Sequence, residues 1–186
     1  MGVQAMNVDA RVRTICVAGA ESTGKSWLAG RLASHFGTTE VPEYARAYCA
    51  QYGNALSMAQ LVHIGAEQDQ QIRARVASAT LQHRALVIAD TDALVTGVWA
   101  RFGLGTADPW FDGEMVGADL YLVTDNDLPW MDDGVRIQAD QAERDRFRAL
   151  LIAEIERRGA RWLPVGGTGP ARLDAALAAM AVPVTR

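Results

Sequence analysis

The residues with the clearest chemistry are Gly19-Ala20-Glu21-Ser22-Thr23-Gly24-Lys25-Ser26, which satisfy the pattern G-x-x-x-x-G-K-[ST] in full. Gly19 and Gly24 let the backbone wrap tightly, so the successive N–H groups of Glu21, Ser22 and Thr23 converge on the oxygens of a polyphosphate. An apolar run precedes the motif and a helix-forming run follows it, offering its positive N-terminal end to the same anion. In that setting Lys25 reaches the β- and γ-phosphates of a nucleoside triphosphate, and the Ser26 hydroxyl ligates Mg²⁺. Of the 18 lysines and arginines, Lys25 is the one lysine. Arginine serves every other cationic position, and the compact ammonium is kept where it must fit between phosphates.

A phosphate loop needs a second metal anchor, usually an Asp ending a neighbouring buried strand. The run Ala85–Ala89 followed by Asp90 has that form, and Asp90 is the expected partner of Ser26 at the metal. Asp92 stands just before a helical pattern (Ala93–Arg101), where it either caps that helix or faces the substrate. Another acid emerges in Val41-Pro42-Glu43-Tyr44-Ala45-Arg46. Glu43 is positioned to orient or deprotonate an acceptor hydroxyl, Arg46 to hold phosphate or the acid, and Tyr44 to stack on a ring. The general base is therefore Glu43 or Asp92. Further on, the polar segment 126–136, punctuated by Pro129 and Gly134, reads as a lid that closes over the triphosphate and excludes water. Arg136 is the first choice for an arginine brought onto the transferring phosphoryl group, and Arg144 the second.

Short apolar runs alternate with longer amphipathic ones, as a parallel sheet built from βαβ units requires. The strand candidates are Thr14–Ala18, Thr38–Val41, Ala85–Ala89, Leu120–Thr124 and Arg161–Val165. Helices are expected over residues 25–36, 57–83, with Ser57 and Gln60 forming a capping box, and 141–158. The architecture predicted is α/β: a five-stranded parallel sheet with helices on both faces, ligands binding beyond the carboxyl ends of the strands. Residues 1–186 read as one domain, with 1–12 as a frayed leader.

Composition narrows the function classes. A formal net charge of −4 gives no overall positive field for nucleic acid or an anionic membrane. No stretch reaches the about 18 apolar residues that span a bilayer. The start lacks a signal-peptide layout, and Met6 stands where myristoylation wants Ser or Thr. A cytoplasmic protein is expected, with homo-oligomerisation open. Cys16 and Cys49 make no disulfide framework, and His35, His63 and His83 have no zinc spacing.

The stretches GAESTGKS at 19–26, EYAR at 43–46, IADTD at 88–92 and DLPWMDDGVR at 127–136, with Arg144 and Phe147 beyond, resemble the ribosylnicotinamide kinase domain of the NadR family. The resemblance runs from about residue 13 to 165. It implies a P-loop kinase-like three-layer sandwich with a lid, and ATP-dependent phosphorylation of nicotinamide riboside at its 5′-hydroxyl. It also implies Trp130 and Tyr44 as contacts to a nicotinamide or adenine ring. The adenylyltransferase and DNA-binding activities found in many NadR proteins are not carried over, because this sequence has no H-x-G-H motif. Another nucleoside or small metabolite is the alternative acceptor. A GTPase-type switch would need Asn-Lys-x-Asp, whereas Thr124-Asp125-Asn126-Asp127 has no Lys. An ATPase subunit of a larger machine is disfavoured by the acidic balance and by the lack of an ABC-type signature.

Overall fold

The computed structural model describes residues 11–113, 115–134 and 136–181. Most of the proposed leader (1–10), Val135 of the lid and the last five residues lie outside them. Five strands, β1 (Arg13–Ala18), β2 (Glu40–Val41), β3 (Leu86–Asp90), β4 (Leu120–Thr124) and β5 (Trp162–Val165), form one sheet in the order β2-β3-β1-β4-β5. Every neighbouring pair is parallel. The helices are α1 (Lys25–His35), α2 (Tyr44–Tyr52), α3 (Met58–Leu81), α4 (Ala93–Leu104), α5 (Gln141–Arg157) and α6 (Gly169–Ala181), with a 3₁₀ turn at Pro109–Asp112.

The two-residue period of β1 divides the core. Ile15 and Val17 point to one face, where Leu28, Ala29 and Leu32 of α1 and Ala176 of α6 cover them. Cys16 and Ala18 point to the other face, against Leu94, Val95 and Val98 of α4 and Phe147, Leu151 and Ile155 of α5. Strands covered on both faces must read as continuously apolar, which is why β1, β3 and β4 are legible in the sequence.

Three local expectations change. The second strand is shorter than Thr38–Val41: Thr38 N–H closes the end of α1 on the Ala33 carbonyl (2.9 Å), and only Glu40 and Val41 pair with β3. Residue 12, expected within a frayed leader, belongs to the core instead. Val12 is 7% exposed and packs with Val41, Ile72 and Val87, while Arg13 N–H joins the Ala85 carbonyl (2.9 Å). Finally, α6 stands where the sequence reading placed no element, and it completes the layer over Ile15 and Val165. The capping box at α3 is present, with Ser57 and Gln60 side chains each serving the other's backbone.

Candidate active site

The carboxyl ends of β1, β3 and β4 come level, with Val17 opposite Asp90 and Ala18 opposite Val123. The loop 19–26 wraps at this edge. Gly19 has φ +150°, and a Cβ there would come within 2.1 Å of Thr124 Oγ1. Gly24 caps α1 in the left-handed region (φ +76°), and Ser22 adopts φ +58° without being glycine, a strain typical of functional turns. Thr23 is fully buried. Its hydroxyl donates to the Ala20 carbonyl (2.8 Å) and lies 2.7 Å from Thr124 Oγ1. Its side chain therefore braces the loop from inside, leaving the backbone to face an anion. Lys25 Nζ donates to the Ala20 carbonyl (2.8 Å).

Asp90, 3% exposed, is hydrogen-bonded to Ser26, while its Oδ1 is buried with no partner among the described residues. Burial raises its pKa; Lys25 and the Ser26 hydroxyl pull the other way. A hydroxyl and an orphaned carboxylate oxygen side by side suit a hard, oxygen-seeking cation. Glu43 is the N-cap residue of α2, and its Oε2 lies 3.7 Å from Arg46 Nε. Burial raises its pKa too, and Asp90 adds to the rise, against Lys25, Arg46 and Arg136. These five charged groups thus form one electrostatic cluster.

The lid is tied to the phosphate loop. Glu21 Oε2 accepts from Ile137 N–H (2.8 Å) and Gln138 N–H (2.7 Å), and Ser22 Oγ accepts from Met131 N–H (3.0 Å). Hence the Glu21 side chain serves the lid, not the phosphates. Arg136 donates to the Met131 carbonyl (2.8 Å) and sits 3.2 Å from Asp133, which also pairs with Arg46 (2.5 Å). Arg144, 4% exposed, donates to the Leu128 carbonyl (2.9 Å) and to Gln141, so it props the base of the lid, while its Nε is buried with no partner among the described residues.

A cavity of about 660 Å³ opens beside this cluster. Glu21, Lys25, Glu43, Arg46 and Arg136 line one side; Leu56, Leu61, Ile64, Val95 and Trp99 line an apolar basin. Asp92 does not join them. It is 2% exposed, accepts from Val95 N–H (3.1 Å) and Tyr121 OH (2.6 Å), and burial raises its pKa to about 6. Of its two sequence readings the helix cap holds, because both oxygens are already engaged. Tyr44 and Trp130 also lie outside the cavity wall. Tyr44 instead packs edge-on to His63, at 6.0 Å between ring centroids.

Two residues that sequence reasoning missed belong here. Trp99 presents the aromatic surface in the cavity, held by Phe147 at 4.3 Å between centroids. Gln68, 1% exposed in α3, accepts from Tyr44 N–H (2.8 Å) and donates to the carbonyls of Pro42 (3.3 Å) and Thr91 (3.4 Å). It thereby fixes the turns that carry Glu43 and Asp90. A polar residue on the buried stripe of α3 is the one sequence sign of this role.

Residues 14–172 match the family described as AAA domain. The chain is 30% identical over 151 residues to the trifunctional NAD biosynthesis/regulator protein NadR of Escherichia coli, covering 78% of this chain and 36% of that protein. It is 31% identical over 147 residues to the Salmonella typhimurium protein of the same name, covering 76% of this chain and 35% of that one. The chain thus spans about a third of the length of these curated relatives. A crystal structure of NadR protein in complex with NR superposes with TM-score 0.72 at 26% identity, covering 95% of this chain and 54% of that one. Thymidylate kinase from Ehrlichia chaffeensis shares the fold alone, with TM-score 0.61 at 14% identity over 91% of this chain and 97% of that one. The chain therefore belongs to the P-loop family described as AAA domain, and its domain is of the NadR type.

Proposed function

We propose that the protein transfers the γ-phosphoryl group of ATP to the 5′-hydroxyl of a nucleoside, with nicotinamide riboside as the acceptor. The observation that carries this reading is the continuity of the phosphate loop with a nucleoside-sized cavity, Lys25 and Glu43 standing at their junction. In the reaction the acceptor oxygen bonds to the γ-phosphorus and the bond to the β,γ-bridging oxygen breaks, releasing ADP. The hydroxyl proton passes to Glu43, whose carboxylate burial makes a stronger base than a free one. Lys25 and Arg136 neutralise charge that spreads over the transferring oxygens. Arg46 holds Glu43 and Asp133 in place. Ser26 and Asp90 would hold Mg²⁺, which would supply charge neutralisation on the triphosphate. Trp99 offers an aromatic face to the acceptor's ring.

The NadR relatives and the NadR complex with NR support nicotinamide riboside over other acceptors. The test is ADP release against a panel of nucleosides, with the product identified by mass. Nicotinamide mononucleotide is expected. ADP appearing only with a purine or pyrimidine nucleoside would retain the kinase and replace its substrate.

A further inference from the structure

Arg172, in the first turn of α6, is 1% exposed and carries a charge into the protein interior. Each of its nitrogens is engaged. Nε donates to the Gly167 carbonyl (2.7 Å), Nη1 to the carbonyls of Thr23 (2.8 Å) and Val165 (3.4 Å), and Nη2 pairs with Asp127 Oδ1. The other Asp127 oxygen accepts from Gly167 N–H (2.7 Å). One guanidinium thus joins four segments: the phosphate loop, the end of β5, the β5–α6 turn and the root of the lid. Removing a guanidinium from water costs several kcal/mol, and well-packed apolar residues usually stabilise as much as a buried ion pair. Stability alone is therefore a weak reason for this arrangement, whereas its geometry has a specific consequence.

A trans peptide points its C=O and N–H in opposite directions. Pinning the Thr23 carbonyl outward on Arg172 therefore fixes the Gly24 N–H to the other side of the loop, the side that an anion must occupy. The Thr23 side chain cannot do this, because it is used within the loop on Ala20 and Thr124. Through Asp127 the same guanidinium sets the start of the lid, whose far part returns to the loop at Ser22 and Glu21 and carries Arg136. We propose that Arg172 and Asp127 are a positioning pair that holds the phosphate loop and the lid root in one frame for the bound triphosphate. The pair touches neither acceptor nor phosphate. This inference rests on the reading that the loop binds MgATP, and not on the identity of the acceptor.

The test compares wild type with Arg172→Lys, which keeps the charge but loses the planar fork, and with Asp127→Asn, which keeps the shape at a site 34% exposed in its side chain. MgATP binding is measured by calorimetry without an acceptor, alongside kcat, both KM values, melting temperature and hydrogen exchange at Met131, Ile137 and Gln138. Arg172→Lys should weaken MgATP binding roughly tenfold or more, as loss of a charge-assisted hydrogen bond implies. The KM for the nucleoside should stay within about threefold. Asp127→Asn should speed exchange at the three lid amides and weaken MgATP severalfold while remaining folded. If Asp127→Asn leaves MgATP affinity and lid exchange as in wild type, the pair is merely structural and the proposal fails. A lowered melting temperature in Arg172→Lys with unchanged MgATP affinity overturns it equally. Wild-type protein that binds no MgATP would instead sink the functional reading itself.

Discussion

At the scale of single residues, Lys25 and Glu43 have separable duties. Lys25 faces the cavity from the first turn of α1, and removing its ammonium takes charge from the phosphate site without opening the core. Lys25→Ala should lower kcat by roughly 10²–10³-fold, the loss of one preorganised electrostatic contact, with the melting temperature nearly unchanged. An ADP-release assay beside a thermal melt checks this. Glu43→Gln keeps the N-cap shape of α2 but cannot accept a proton, so kcat should fall by about 10²–10⁴-fold with MgATP affinity retained. The pH profile separates base from spacer. Burial raises the Glu43 pKa above its ordinary 4.5, so kcat/KM should rise with pH through that displaced value, and the limb should vanish in Glu43→Gln. A limb that persists in the variant assigns the proton to another group. That Lys25, Ser26, Asp90, Glu43 and Arg136 gather at one edge of the sheet was foreseeable, because motif spacing and strand ends are local. Trp99, Gln68 and Arg172 were not, since each is defined by what folds against it.

At the scale of elements, α4, α5 and the 3₁₀ turn are joined through one buried acid. Glu154 of α5, 8% exposed in its side chain, pairs with Arg101 (2.7 Å), Arg157 (2.7 Å) and Arg158 (2.8 Å), while Asp112 of the turn contacts the same three arginines. Those hydrogen bonds outweigh burial and hold the Glu154 pKa down to about 2. A depressed carboxylate contributes stability above its ordinary 4.5, and that contribution is lost as pH falls through 4.5 toward 2. Glu154→Gln should therefore cost about 1–3 kcal/mol at pH 7, moderated because the partner arginines are partly solvated, and little near pH 2. Denaturant melts at the two pH values decide the point. An equal loss at both would mean packing, not charge, is what the substitution removes. Helix α5 was legible from its apolar stripe, but the ion pairs that draw Arg101, Arg157 and Arg158 together were not. Their shared partner Glu154 comes from the same helix and yet lies buried.

For the molecule as a whole, Asp92 couples stability to pH in the opposite sense. It caps α4 and bonds to Tyr121 of β4 from a fully enclosed position, and burial raises its pKa from 3.8 to about 6. The folded state holds this proton more tightly than the unfolded chain. Its contribution is complete below 3.8 and is lost as pH rises through about 6. Asp92→Asn keeps a capping oxygen and removes the buried charge. The variant should gain on the order of 2–3 kcal/mol relative to wild type at pH 8, but nothing near pH 4. Urea titrations across that range test this, and a variant that loses stability at pH 8 would show that the ionised form is held by more than its two visible donors.

The amino-acid sequence by itself determined the phosphate loop, the strands buried on both faces, the capped long helix and the strand-end Asp90, because each follows from rules that act over a few neighbouring residues. Only the tertiary structure decided that Asp92 is spent as a cap, that Glu21 grips the lid, that Trp99 lines the cavity, and that Arg172 spans the loop and the lid root. These outcomes depend on segments up to 149 residues apart meeting at the carboxyl edge of one sheet. Such meetings are set by packing, and no local spacing encodes them.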